Sequence, residues 1–114
     1  MIVLDTHIWL WWINSEHKSL KKAWIQAIEQ AENVGVSAIC CFEVAWLVRH
    51  QRISMDMAIG DWFDMALKGS GIDLLPLSPR VAEIATGLPE HHSDPQDRII
   101  IATAMDYTAQ LISA

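Results

Sequence analysis

The sequence predicts an α/β fold with a mostly parallel sheet of about four strands. Three observations carry that expectation. Short apolar runs recur along the chain: "IVL" (2–4), "VGVS" (34–37), "IDLLPL" (72–77) and "AQLIS" (109–113). Each has the length and composition of a buried strand. Stretches with helical spacing of apolar residues lie between them, and strands alternating with helices favour parallel pairing. Finally, Ser78-Pro79 and Asp94-Pro95 each place a capping side chain before a proline, a helix-start signal.

Taken in order, "MIVLDTH" opens with the first strand and runs into Asp5, Thr6 and His7. A short helix is expected from His7 to about Ile13. A longer amphipathic helix is expected from Lys18 to about Glu32, with Leu20, Ala23, Trp24, Ala27, Ile28 and Ala31 near helical spacing. After the strand 34–37, Ser37 is positioned to cap the helix "AICCFEVAWLV". The basic "RHQR" (49–52) closes it, where the helix dipole favours cations. Ser54 is expected to cap a helix running to about Ala66, and "GSG" (69–71) breaks the chain before the third strand. Pro76 marks that strand's end. A short helix follows Ser78-Pro79 to about Thr86. "GLPEHHS" (87–93) is a loop, and the last helix runs from Asp94-Pro95 to about Tyr107 before the final strand.

With 114 residues the chain is expected to form one domain. Its 52% hydrophobic content excludes disorder. No apolar run has the ~18 residues of a membrane span. The adjacent Cys40 and Cys41 do not readily bridge each other, which points to a reducing, cytoplasmic setting. The formal charge of −6 argues against holding nucleic acid by the whole surface. An acidic protein acting on a nucleic acid needs local positive charge, and a bound divalent cation is one source.

Ligands of such sheets sit beyond the carboxyl ends of the strands, where Asp5 stands. Two readings of Asp5 are open: a helix cap, or one of several carboxylates gathered at that edge. Glu43 has Ile39, Cys40, Trp46 and Leu47 as its helical neighbours, so it lies on an apolar stripe. Burying an unpaired carboxylate costs several kcal/mol, roughly, or forces protonation. Glu43 therefore either keeps its head in water or belongs to a site, and a helix that directly follows a strand favours the site. Asp94 reads first as a cap. Asp97 falls in the same first turn, just ahead of Ile100 and Ile101. Crowded carboxylates repel one another, and hard cations such as Mg²⁺ relieve that repulsion.

Three segments, "MIVLDTHIWLW", "VSAICCFEVAWLV" and "HSDPQDRIIIATA", together resemble the PIN domain, and within it the VapC-type toxins of bacterial toxin–antitoxin pairs. The resemblance implies a three-layer α/β/α PIN-like fold and a Mg²⁺- or Mn²⁺-dependent ribonuclease. It implies that Asp5, Glu43 and Asp97 are the catalytic acids, with Asp5 and Asp97 the direct metal ligands and Glu43 bound directly or through water. Thr6, Ser37, Asp94 and Ser113 would support them. The cation would lower the pKa of water and stabilise charge on the attacked phosphate. An RNA substrate, a cognate antitoxin protein and a homodimer are the implied partners, without a membrane.

The family commonly carries a fourth acid just after the final strand, where this chain ends at Ala114. A domain lacking its C-terminal end is therefore expected. A non-catalytic PIN-fold binding module is the alternative to the nuclease. A receiver domain would need a late-strand Lys, and the only Lys after residue 52 is Lys68. A haloacid-dehalogenase-like phosphatase would want Asp where His7 stands.

Other signals are weaker. Arg49, Arg52 and Arg98 are candidates for RNA phosphates, Arg98 being equally placed to pair with a carboxylate, while Lys18, Lys21 and Lys22 read as a solvated face. His91 and His92 lack further ligands at zinc spacing and read as a solvated loop. "WLWW" (9–12) reads as partly core, and the resemblance implies that one of its rings lines an antitoxin groove.

Overall fold

The computed structural model describes residues 1–114. Four strands, β1 (Ile2–Leu4), β2 (Val34–Ser37), β3 (Ile72–Leu75) and β4 (Gln110–Ile112), form one sheet in the order β3-β2-β1-β4. Every neighbouring pair is parallel, with Val3 opposite Gly35 on one side and Leu111 on the other. Six α-helices connect them: α1 (Thr6–Ile13), α2 (Lys22–Gln30), α3 (Ala38–Arg49), α4 (Ile59–Ala66), α5 (Pro79–Thr86) and α6 (Pro95–Asp106).

Helices cover both faces of the sheet. Ile2, Leu4, Val36 and Ile72 enter the main core with Ile8, Trp9, Leu20, Ile28 and Trp62. Val3 and Leu75 point the other way and pack on Ala104 of α6. This alternation is the two-residue period of a strand buried on both faces. Gly35 is fixed by that packing, because an added Cβ would stand 2.8 Å from Leu75 Cδ1.

The tryptophans show how the core is closed. Trp9 is fully buried and meets Trp62 edge to face at 5.0 Å between ring centroids. Both indoles have partners: Trp9 Nε1 donates to Ala66 O at 3.1 Å, and Trp62 Nε1 to Asn14 Oδ1 at 3.0 Å. A buried indole N–H without an acceptor would cost free energy, and these two bonds tie α1 to α4.

Some expected boundaries shift. The first helix starts at Thr6, with Asp5 as its cap. The second starts at Lys22 rather than Lys18: a short 3₁₀ turn (His17–Ser19) precedes it, and Leu20 and Lys21 are extended. Leu20 is buried, and the extended backbone carries it into the core. Ser54 caps nothing. Its helix begins at Ile59 after Ala58, which has no side-chain oxygen to offer. The expected caps Ser37, Ser78 and Asp94 all accept backbone N–H groups of their helices.

Candidate active site

The chain winds from β1 to β2 to β3 in one direction and then returns to the far side of β1 for β4. The reversal between β1 and β4 opens a crevice at the carboxyl ends of these strands, the usual ligand position in such sheets. A cavity of about 200 Å³ lies there. Asp5, His92, Asp97, Ile100, Ile101, Leu111, Ser113 and Ala114 line it.

Asp5 follows directly on β1. Its backbone N–H donates to Ile112 O at 3.0 Å, continuing the ladder to β4. Its Oδ1 accepts from Ile8 N at 3.0 Å as the cap of α1, and its Oδ2 accepts from Ala114 N at 2.9 Å. Asp5 thus caps a helix and also lines the crevice.

Asp97 reaches the same cavity from the first turn of α6. Asp94 holds that turn by accepting from Gln96 N at 2.8 Å and Asp97 N at 3.4 Å. The Asp97 carboxyl is pushed above its ordinary value, first by partial burial, then by the negative charges of Asp94 and Asp5. His92 pulls it the other way. The residue as a whole is exposed, so solvent tempers the effect.

Glu43 is placed differently. Its Oε1 accepts a 2.5 Å hydrogen bond from Thr6 Oγ1, which ties it to the residue next to Asp5. It lines a neighbouring cavity of about 220 Å³ with Phe42, Trp46, Leu47 and Gln96. Gln96 and Asp97 are consecutive, so the first turn of α6 borders both cavities. The expectation of three acids in one hollow is thus corrected: Asp5 and Asp97 share a cavity, and Glu43 joins them through Thr6. No three His, Cys, Asp or Glu side chains close on a common point able to hold a metal ion.

Two carboxylates on one wall still have suitable donor chemistry for Mg²⁺. That ion keeps several waters and takes one or two carboxylates together with phosphate oxygens, rather than a closed protein cage. Burial is the first cause of the raised Asp97 carboxyl, and the nearby charges of Asp94 and Asp5, which a cation would offset, are the second.

Among the expected supporting residues, Ser113 lines the crevice, Thr6 is buried and bonds Glu43, and Ser37 Oγ accepts from Ile39 N at 3.2 Å and starts α3. Cys40 sits beside Thr6, Glu43 and Asp5. Burial, offset in part by the Thr6 hydroxyl, raises its thiol to about 12. Burial pushes Cys41 up as well.

Arg98 requires a correction as a phosphate ligand. Its Nε donates to Ala85 O, Nη1 to Pro89 O and His92 O, and Nη2 to Thr86 O and Leu88 O, at 2.6–3.3 Å. A guanidinium has five N–H groups, so no donor is left for RNA. Arg49 and Arg52 are exposed. Trp9 belongs to the core and lines no groove, while Trp11 and Trp12 are half-buried. His92, read from sequence as solvated loop, lines the crevice; its place two residues before the Asp94 cap was the one signal available.

The family profile described as "PIN domain" matches residues 2–114. The chain belongs to the PIN domain family. Among PIN proteins it is 34% identical over 113 residues to Ribonuclease VapC22 of Mycobacterium tuberculosis, covering 98% of this chain and 85% of that protein. The toxin–antitoxin complex from Klebsiella pneumoniae has a similar fold, with TM-score 0.64 and 23% identity, over 97% of this chain and 83% of that one. VapBC2 from Rickettsia felis, solved bound to a DNA fragment from its promoter, matches with TM-score 0.64 and 19% identity over 97% and 86% of the two chains. These structures share the PIN fold, and the VapC22 match supports the VapC-type resemblance.

Proposed function

We propose that this PIN domain is a metal-dependent ribonuclease of the toxin–antitoxin type. The observation that carries the reading is the meeting of Asp5 and Asp97, 92 residues apart in sequence (97 − 5), on the wall of one crevice at the sheet's switch point. The name of the VapC22 relative supports RNA as substrate, and the Klebsiella and Rickettsia complexes support an antitoxin partner.

In this reading Asp5 and Asp97 hold Mg²⁺ or Mn²⁺. The cation, when bound, supplies Lewis acidity toward the phosphodiester and lowers the pKa of nearby water. Asp5 is held by two backbone N–H groups, so its carboxylate does not need to reorganise on binding. Glu43, held by Thr6, positions water at the neighbouring cavity. Ser113 lends a hydroxyl to the crevice wall, Asp94 and Ser37 fix the helix starts, and Arg49 and Arg52 attract the RNA backbone. A second copy of the chain is a further partner, and the two free cysteines suit a reducing cytoplasm. No helix is long and apolar enough to cross a membrane.

The test is cleavage of a labelled single-stranded RNA by the purified chain with Mg²⁺, Mn²⁺ or EDTA, beside Asp5→Asn and Asp97→Asn. Cleavage that needs metal and falls about a hundredfold or more in either variant is expected, the scale on which losing a catalytic group acts. The engagement of Glu43 by Thr6 and the lack of a three-acid cluster favour a second reading, a non-catalytic binding module. That reading predicts RNA retained but intact in every lane.

A further inference from the structure

The crevice has a basic side chain that the acid-centred reading does not use. Of the residues that line it, Asp5 and Asp97 are acids, Ser113 is neutral and polar, and His92 is the sole one with a basic group. A phosphodiester entering this space meets two carboxylates. Unless something donates to its free oxygens, it is repelled. An imidazole N–H donates in either protonation state, so His92 can serve whether or not it carries charge.

His92 is also built in. It lies in the loop between α5 and α6, in a segment with no regular hydrogen-bond ladder. Arg98, one helical turn beyond Asp94, reaches back to this loop and to the last turn of α5. Its guanidinium accepts no substitute geometry: five N–H groups meet the carbonyls of Ala85, Thr86, Leu88, Pro89 and His92. The shortest of these, 2.6 Å, is to His92 itself. A turn bond from His92 N to Pro89 O at 3.2 Å completes the fixation. Two of these carbonyls, of Ala85 and Thr86, end α5, and three lie in the loop, so one guanidinium fixes the loop to the helix before it. It joins the loop to the same helix that carries Asp97.

We propose that His92 donates a hydrogen bond to a phosphate oxygen of the RNA in the Asp5–Asp97 crevice, and that Arg98 is the positioning residue that holds it there. This rests on the ribonuclease reading for the identity of the ligand. It assigns to the loop a substrate contact, distinct from holding the cation.

The test uses the full chain with a fluorescein-labelled single-stranded RNA. Binding is read by anisotropy in Ca²⁺, cleavage by steady-state kinetics in Mg²⁺, and cation affinity by Mn²⁺ titration. His92→Ala should weaken RNA binding and raise KM roughly tenfold, equivalent to ~1.4 kcal/mol. Its kcat and Mn²⁺ affinity should stay within about threefold, as expected when only substrate binding is lost. His92→Gln, which keeps an N–H donor, should recover part of the loss. Arg98→Lys cannot make five bonds and should copy His92→Ala in KM. The double variant should be no worse than either, which a merely structural role of Arg98 would not produce.

Wild-type RNA affinity in His92→Ala, with wild-type cleavage intact, overturns the proposal alone. Loss of Mn²⁺ affinity in His92→Ala also overturns it, because the ring would then belong to the cation site. A wild-type chain that neither binds nor cuts RNA overturns the ribonuclease reading and this proposal together.

Discussion

Replacing Thr6 by Val tests the link that joins Glu43 to the residue next to Asp5. Thr6 is 2% exposed, and its hydroxyl donates to Glu43 Oε1 at 2.5 Å. Val has nearly the same shape, so the change removes one hydrogen bond and opens no cavity. A hydrogen bond to a charged group contributes about 1.5–3 kcal/mol, and the half-buried Glu43 places this one toward the lower end, about 2 kcal/mol. In a domain of this length each kcal/mol moves the thermal midpoint by roughly 4 °C, so a fall of about 8 °C is expected. The assay is thermal unfolding in EDTA at neutral pH of wild type, Thr6→Val, Glu43→Ala and the double variant. Residues that touch couple by about 0.5–3 kcal/mol in such a cycle, whereas independent sites add within about 0.3–0.5 kcal/mol. A coupling of 1.5 kcal/mol or more, roughly, is the expected result. Additivity of the two single changes would refute the bond, and with it the placing of Glu43 by Thr6.

Three further outcomes follow from the geometry. The raised carboxyl of Asp97 means that its ionised form is disfavoured in the fold, so this contribution is fully present below the ordinary pKa of 3.8 and lost as pH rises through the raised value. In EDTA, Asp97→Asn should therefore raise the melting temperature at pH 7 and leave it unchanged near pH 3; an equal shift at both would contradict the cost that burial and the neighbouring acids place on the ionised form. Gly35→Ala should destabilise by about 1–3 kcal/mol in denaturant titration, because the new methyl meets Leu75; a neutral result would show that Leu75 yields freely. Cys40, buried and raised to about 12, should resist iodoacetamide at pH 8 in the native chain and react fully in denaturant, as read by mass spectrometry.

Much of this molecule is local, and local features are written in the sequence. Ser78-Pro79 and Asp94-Pro95 start helices because the cap side chain and the proline act within one turn. The central strands β1 and β2 are short apolar runs because both of their faces are covered, whereas the edge strands β3 and β4 also carry exposed residues. Failures arose where a local signal competed with distant packing. Ser54 has a capping side chain, yet the helix waits until Ile59. The amphipathic pattern from Lys18 is broken because Leu20 is drawn into the core.

The candidate site divides along the same line. Sequence alone picked out Asp5 and Asp97 as acids that abut apolar runs at the start of a helix, and Glu43 as an acid on the apolar stripe of α3. Tertiary structure alone decided how they meet. Asp5 is held by a residue 109 positions away, and Glu43 by one 37 positions away. The five donors of Arg98 turned from substrate to backbone, and His92 moved from solvent to the crevice wall. Capping and periodicity act over one or two turns of chain, so a sequence displays them; the partner of a charged side chain is chosen by the approach of separate elements, which no short window of sequence contains.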